Sequence, residues 1–195
     1  AVLVSPSACI GHGACAAACP VEAITLVFGS ERRGVDIPAV TPQFETNVPG
    51  LFIAGELGGM ALIRKAAEQG RQAMATIAKR RDPTFDLDVV IVGAGPAGIA
   101  AGLGAIHAKL RYALIEQEES LGGSVLHYPR HKVAMTAPVD LPLVGKMRFV
   151  EVTKEKLLEF WLEIVTRTRL QIRTGVTMER VEPVGTGFNV HTSAG

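Results

Sequence analysis

Apolar and polar positions change their period several times along this chain, and each change marks an element. Val89 to Val92 is an unbroken β-branched run closed by Gly93, as in a strand buried on both faces of a parallel sheet. Ile99, Leu103 and Ile106 then recur at spacings of four and three, which predicts a helix immediately after it. Tyr112 to Ile115 is a second short apolar run. Upstream, Ile63, Ala66, Ala67, Gly70, Ala73, Met74 and Ile77 make one stripe, while Arg64, Lys65, Glu68, Arg71 and Lys79 make the other face. That periodicity predicts a helix over 61–80, preceded by a short strand at Leu51 to Ala54. Downstream, a proline-punctuated stretch runs from Ser124 to Lys146, too long for a plain connector and expected to cover a site. Leu157, Trp161, Ile164 and Val165 predict a further helix capped by the Thr153 hydroxyl, with Trp161 in the core. Leu170 to Ile172 reads as a strand, and Val176 to Glu182 with Phe188 to Thr192 as a hairpin around Gly185 and Gly187.

Between the first strand and its helix lies Gly93-x-Gly95-x-x-Gly98, with Pro96 where a missing N–H costs nothing. The glycines allow a tight turn, close approach of backbone to a diphosphate and close packing of helix on strand, while the helix N-terminus offers amides and a positive dipole end. Glu116 ends the second strand twenty-three positions after Gly93, where a carboxylate reaches an adenosine ribose. Strand, glycines, helix, strand and acid in that order define a dinucleotide site of either the NAD or the FAD type.

Leu121-Gly122-Gly123-Ser124 follows the acid. From Val89 to Gly123 the chain resembles the FAD-binding half of the pyridine nucleotide-disulfide oxidoreductase family, in its thioredoxin-reductase-like branch. His127-Tyr128-Pro129-Arg130 and the stretch from Pro138 to Lys146 are similar to the bacillithiol-reductase type. Thr46 to Gly59, with Pro49-Gly50 and Gly55-Glu56, resembles the family's second flavin motif, with Glu56 in place of the usual Asp. The resemblance implies FAD contacts from Gly93, Gly95, Pro96, Ala97, Gly98, Glu116, Gln117, Gly122, Gly123 and Ser124. It adds backbone at Met178 near the adenine and Gly55 with Glu56 near the ribityl chain. Read from the residues alone, Gly122-Gly123 is an ordinary loop and Glu56 a cap for the following helix.

All three cysteines stand in Cys9-x-x-His12-x-x-Cys15-x-x-x-Cys19-Pro20, a glycine-softened loop suited to a metal or iron–sulfur site in a reducing compartment. The stretch resembles the bacterial ferredoxin run, with His12 where the second cysteine belongs. Three readings stand: a 4Fe-4S or 3Fe-4S cluster on Cys9, His12, Cys15 and Cys19, completed from elsewhere; a Cys3His zinc site; or a motif that binds nothing.

With 48% apolar and 20% charged residues and a formal charge of +1, the composition is that of a soluble globular protein rather than a nucleic-acid-binding or disordered one. No apolar run reaches the length of a membrane span and no signal peptide is recognisable, so a cytoplasmic setting is expected. Its 195 residues hold one domain and an appendage, short of a complete reductase, and an initial Ala suggests a piece of a longer chain. The expected fold is α/β: a Rossmann-like FAD-binding parallel sheet with helices on both faces and a small β-meander, plus a small N-terminal ferredoxin-like segment. Residues 1–30 carry the incomplete Cys/His motif and 31–45 link it onward. Residues 46–80 carry the C-terminal-type flavin motif and 86–195 the N-terminal-type unit; these last two are read as one composite, permuted domain.

The functional expectation is an FAD-dependent, iron–sulfur-associated oxidoreductase, or its flavin-binding fragment. It would move electrons between NAD(P)H and an electron-transfer partner protein or the remaining domains of a longer chain, and a homodimer fits the same reading. The alternatives are a non-catalytic dinucleotide-binding or relay module and an NAD-binding dehydrogenase fragment. No side chain qualifies as a catalytic acid or base, and the absence of a Cys-x-x-Cys pair counts against a thiol or disulfide substrate.

Overall fold

The computed structural model describes residues 18–20, 39–58 and 62–195. Residues 37–195 make one compact unit, and residues 18–20 belong to a second, Ala1–Asp36. Helix α1 (Ile63–Ile77) follows the expected stripe, burying Ile63, Ala66, Ala67, Gly70, Ala73 and Met74. It ends three residues before Arg80, where the Ala78, Lys79 and Arg80 amides bond back to carbonyls of the last turn.

Strand β1 (Val89–Val92), helix α2 (Pro96–His107) and strand β2 (Tyr112–Ile115) form a βαβ unit, with β1 parallel to β2 from Val89↔Tyr112 to Val92↔Ile115. Helix α2 is apolar almost all round and occupies the core, as such a helix must. Glycines let it approach its neighbours. A Cβ at Gly70 would stand 2.0 Å from the Ala97 carbonyl oxygen, so α1 lies against the first turn of α2 with backbone nearly touching backbone. On the other side, Gly102 of α2 meets Leu114 of β2 and Leu170.

The segment joining α1 to β1 is held in place rather than loose. Arg81 donates to the carbonyls of Ala108 and Lys109, Arg111 forks onto Asp88, and Thr186 donates to Asp82. Ahead of α1, the Leu51 to Ala54 stretch is not a strand but the returning side of a tight turn, with one antiparallel bridge, Glu45↔Phe52. The Thr46 amide on the Leu51 carbonyl and the Ile53 amide on the Phe44 carbonyl close it on itself.

The stretch expected to be a loop is instead largely a β-ribbon. Strands β3 (Val133–Met135), β4 (Val139–Leu141), β5 (Gly145–Met147) and β6 (Glu151–Thr153) pair β3 with β6 and β4 with β5, both antiparallel. Each is too short to show a period of two, and Pro138 and Pro142 mimic loop punctuation. Helix α3 (Lys154–Thr168) starts at the expected cap, the Lys156 amide donating to the Thr153 hydroxyl at 3.4 Å, and it buries Leu157, Trp161 and Ile164.

The expected strand near Leu170 is a single parallel bridge, Ile115↔Arg173, which adds a third backbone beside β2. Strands β7 (Met178–Val184) and β8 (Gly187–Thr192) form the last hairpin, with Gly185 at φ 58° in its two-residue turn. Among the described residues the expected meander is therefore this two-stranded hairpin. No helix among them is long and apolar enough to cross a membrane.

Candidate functional site

The C-terminal ends of β1 and β2 open on two adjoining clefts. The first, about 390 Å³, runs from the glycine loop past Glu116, Gln117 and Glu118 to Val176, Thr177 and Met178. The second, about 200 Å³, runs from the same loop past Pro96, Ala97 and Gly98 to Gly55, Glu56 and the start of α1. Val92, Gly93, Gly95, Gly123 and Ser124 line both, so the clefts meet over the glycines.

The floor at that junction is backbone. Gly93, at φ 98°, has nothing within 4 Å of where its Cβ would be, and thus opens on the cleft. A Cβ on Gly123 would stand 3.0 Å from the Gly95 Cα, and one on Gly98 only 1.8 Å from the Gly93 carbonyl oxygen. Glycine at these positions permits a turn in which loop, helix and the Gly122-Gly123 strand of chain touch without side chains between them. Helix α2 has Gly95 as its N-cap and receives no side-chain cap, which leaves its positive end to the cleft. Gly122 sits behind the floor rather than in it. Its amide donates to the Ala94 carbonyl at 2.9 Å and its missing side chain makes room for Leu158.

Glu116 is 5% exposed, and both of its carboxylate oxygens are engaged. Oε2 accepts the Ala94 N–H at 2.6 Å and Oε1 the Glu118 N–H at 3.0 Å. The acid therefore ties the end of β2 to the glycine loop while a second lone pair on each oxygen stays open to a ligand hydroxyl. At the other end, Gly55 takes φ 93°, and its amide donates to Gln69 Oε1 of α1 at 2.8 Å, which fixes the backbone that presents Glu56. Tyr128 also lines this cleft. Burial first, then the Glu56 carboxylate, push its phenol above the ordinary value.

An extended ligand with an anionic middle is the shape these residues fit. A side-chain-free cradle at a helix N-terminus lies in the middle, with a buried acid on one side and a largely apolar slot on the other. Gln69, Tyr128, His127 and Thr177 belong to the site although the motifs did not single them out for it. His127 and Tyr128 stand in the stretch similar to the bacillithiol-reductase type, whereas Gln69 is a polar residue of the amphipathic α1 with no motif around it. Cys9, His12 and Cys15 lie outside the described residues, and Cys19 is half-buried.

The family model described as "Pyridine nucleotide-disulphide oxidoreductase" matches residues 90–195, more than half of the chain. The chain belongs to this family. A second model, the 4Fe-4S binding domain, matches residues 2–25, so a ferredoxin-type motif precedes the oxidoreductase unit. Ferredoxin–NADP reductase 3 of Lysinibacillus sphaericus is 33% identical over 108 residues, covering 55% of this chain and 28% of its own length. Ferredoxin–NADP reductase of Levilactobacillus brevis is 31% identical over 113 residues, covering 57% and 31%. Among solved structures, bacillithiol disulfide reductase of Bacillus cereus is 22% identical with a TM-score of 0.47, covering 53% of this chain and 32% of that one. This member of the family thus spans about a third of the length of such relatives. The match covers nearly all of the β1–α2–β2 unit and the chain after it, whereas Gly55, Glu56 and the start of α1, which line the second cleft, precede it.

Proposed function

We propose that the chain holds one FAD across both clefts and serves as the flavin-binding part of an iron–sulfur-associated oxidoreductase, moving electrons between NAD(P)H and an electron-transfer partner. The observation that carries this reading is the meeting of the two clefts at Gly93, Gly95 and Gly123, with Glu116 at one end and Glu56 at the other. Gly93, Gly95 and the first turn of α2 (Pro96, Ala97, Gly98) would hold the diphosphate. Glu116 would accept the ribose hydroxyls beside Gln117, and Met178 would border the adenine. Gly55 and Glu56 would meet the ribityl chain, with Gly123 and Ser124 along its opposite wall. FAD bound there supplies hydride acceptance and one-electron release, while the protein supplies position and polarity.

The same reading makes 46–80 and 86–195 one permuted domain, supported by the seating of Gly70 on Ala97 beside the shared cleft. Cys9, His12, Cys15 and Cys19 would be cluster ligands, supported by the 4Fe-4S match over 2–25, with remaining ligands from other chain. Thiolate ligation suits a cytoplasmic, reducing setting.

The test is anaerobic reconstitution with FAD, iron and sulfide, followed by absorbance and metal analysis. One flavin per chain with a broad iron–sulfur shoulder is expected. Iron without flavin would overturn the flavin assignment, and zinc in place of iron would overturn the cluster.

A further inference from the structure

The four short strands β3 to β6 are one arm. Pairing keeps a single register from Val133↔Thr153 to Leu141↔Gly145, and across the break the Thr136 N–H donates to the Val150 carbonyl at 2.8 Å. Ala134, Val139, Leu141, Met147 and Val152 turn into the core. The solvent side leaves Val133 51%, Met135 66%, Leu143 51% and Val150 59% exposed. Arg130, Lys132, Lys146 and Arg148 are exposed alongside them, and among the described residues none of the four enters an ion pair. From Arg130 to Thr153, the end of β6, four Lys/Arg stand against two acids, Asp140 and Glu151, a local charge of +2 in a chain whose total is +1. Glu151 and Glu155 lie at the base of the arm, where the Glu155 carboxylate accepts the His131 N–H.

Exposed Met and branched side chains interleaved with unpaired Arg and Lys combine apolar surface with positive charge, the make-up of an interface. The arm also reaches the proposed flavin cleft. Lys154, just after β6, donates its ammonium to the carbonyl of Tyr128 at 2.6 Å and its amide to that of Lys132 at 2.9 Å. Tyr128 lines the second cleft.

We propose that the solvent side of the β3–β6 arm is the docking face for a small acidic electron-carrier protein. The basic rim selects an acidic partner, and against a second copy of the same face it sets like charges together. That the partner carries electrons rests on the flavin reading above, because the arm ends at the wall of the proposed flavin slot.

The probe is a purified acidic bacterial ferredoxin of the two-cluster type, titrated into the full chain by calorimetry at low and high ionic strength. The variants are Arg130→Glu with Lys132→Glu, Met135→Ser, and Lys79→Glu as a control away from the arm. Binding to the unaltered chain is expected to weaken with salt, since screening at about 0.1 M already shortens charge interactions to about 10 Å. The double charge reversal should weaken it at least about tenfold and remove the salt dependence. Met135→Ser should weaken it at both salt levels, and Lys79→Glu should change nothing. No binding, binding that ignores the charge reversal, or a Met135-dependent dimer seen by sedimentation would overturn the proposal. Flavin absorbance in the same samples separates the two readings: flavin lost with salt-sensitive docking intact contradicts only the cofactor assignment, and flavin retained with undisturbed binding in the reversal contradicts only the docking face.

Discussion

The Glu116 carboxylate accepts the Ala94 N–H at 2.6 Å, so the acid at the end of β2 and the loop at the end of β1 are one hydrogen-bonded unit. A group expected to meet only ligand also shapes the loop that receives it. Replacing Glu116 with Ala strips the Ala94 and Glu118 amides of their acceptor, and leaving such donors unsatisfied costs about 1–3 kcal/mol. Urea unfolding of the flavin-free chain should register that loss, and FAD affinity should fall with it. Stability equal to the unaltered protein would show that the bond carries no weight in the loop.

The seat of α1 on α2 predicts a sharp difference among glycines. Gly70→Ala places a methyl 2.0 Å from the Ala97 carbonyl oxygen and Gly98→Ala one 1.8 Å from the Gly93 oxygen; both neighbours are backbone. Each should cost about 3 kcal/mol or more, the upper end for overpacking, and widen the clefts. Gly104→Ala meets instead Met74 Cγ at 3.0 Å and Cβ at 3.2 Å, side chain rather than backbone, and should cost less, about 1–2 kcal/mol. Thermal melts of the three variants rank them; a mild Gly70→Ala would undo the case for one composite domain.

Much of this site is legible in residue order, and the reason is local. Val89 to Glu116 is a contiguous βαβ unit whose strand run, glycine spacing and terminal acid each have one physical meaning. The cleft contribution of Gly55 and Glu56 is legible only through the resemblance, because it depends on packing α1 against α2, which begins nineteen positions after α1 ends. The β3–β6 arm escapes because its strands are three residues long and separated by prolines, so cross-strand pairing rather than periodicity creates it. Gln69 escapes for a similar reason: nothing in an amphipathic repeat distinguishes the polar residue that turns inward to hold Gly55.

Acid should loosen the turn ahead of α1. The Arg80 guanidinium, bonded to Glu45 with Nη2 donating to Oε2 at 2.8 Å, and the Gly50 N–H pull the Glu45 carboxyl down to about 2 from 4.5. A carboxyl depressed in the folded state stabilises it above the unfolded value, and the contribution disappears as pH falls through the folded one. The melting temperature of the unaltered chain should therefore exceed that of Glu45→Gln at pH 5 to 7 (about neutral to mildly acidic), with the gap closing between about pH 4.5 and about pH 2. A gap constant across that range would mean the pair contributes nothing.

Lys154 should affect the second cleft from outside it. Its ammonium holds the Tyr128 carbonyl at 2.6 Å, so Lys154→Met frees the turn that carries Tyr128 and Ser124. We expect FAD to dissociate about tenfold faster, a loss of about 1.5 kcal/mol, the low end for a hydrogen bond to a charged group. Stopped-flow release of flavin fluorescence measures it, and an unaltered rate would remove Lys154 from the account.

The central claim, one ligand spanning two clefts joined at Gly93 and Gly95, is tested most directly by calorimetric titration of the flavin-free chain with FAD, ADP and FMN. If both halves are gripped together, FAD should bind once per chain and at least about a hundredfold more tightly than either smaller nucleotide, because the second half binds as an already tethered group. FAD binding no tighter than ADP would mean that only the Glu116 end is a site, and the two-cleft account would be wrong.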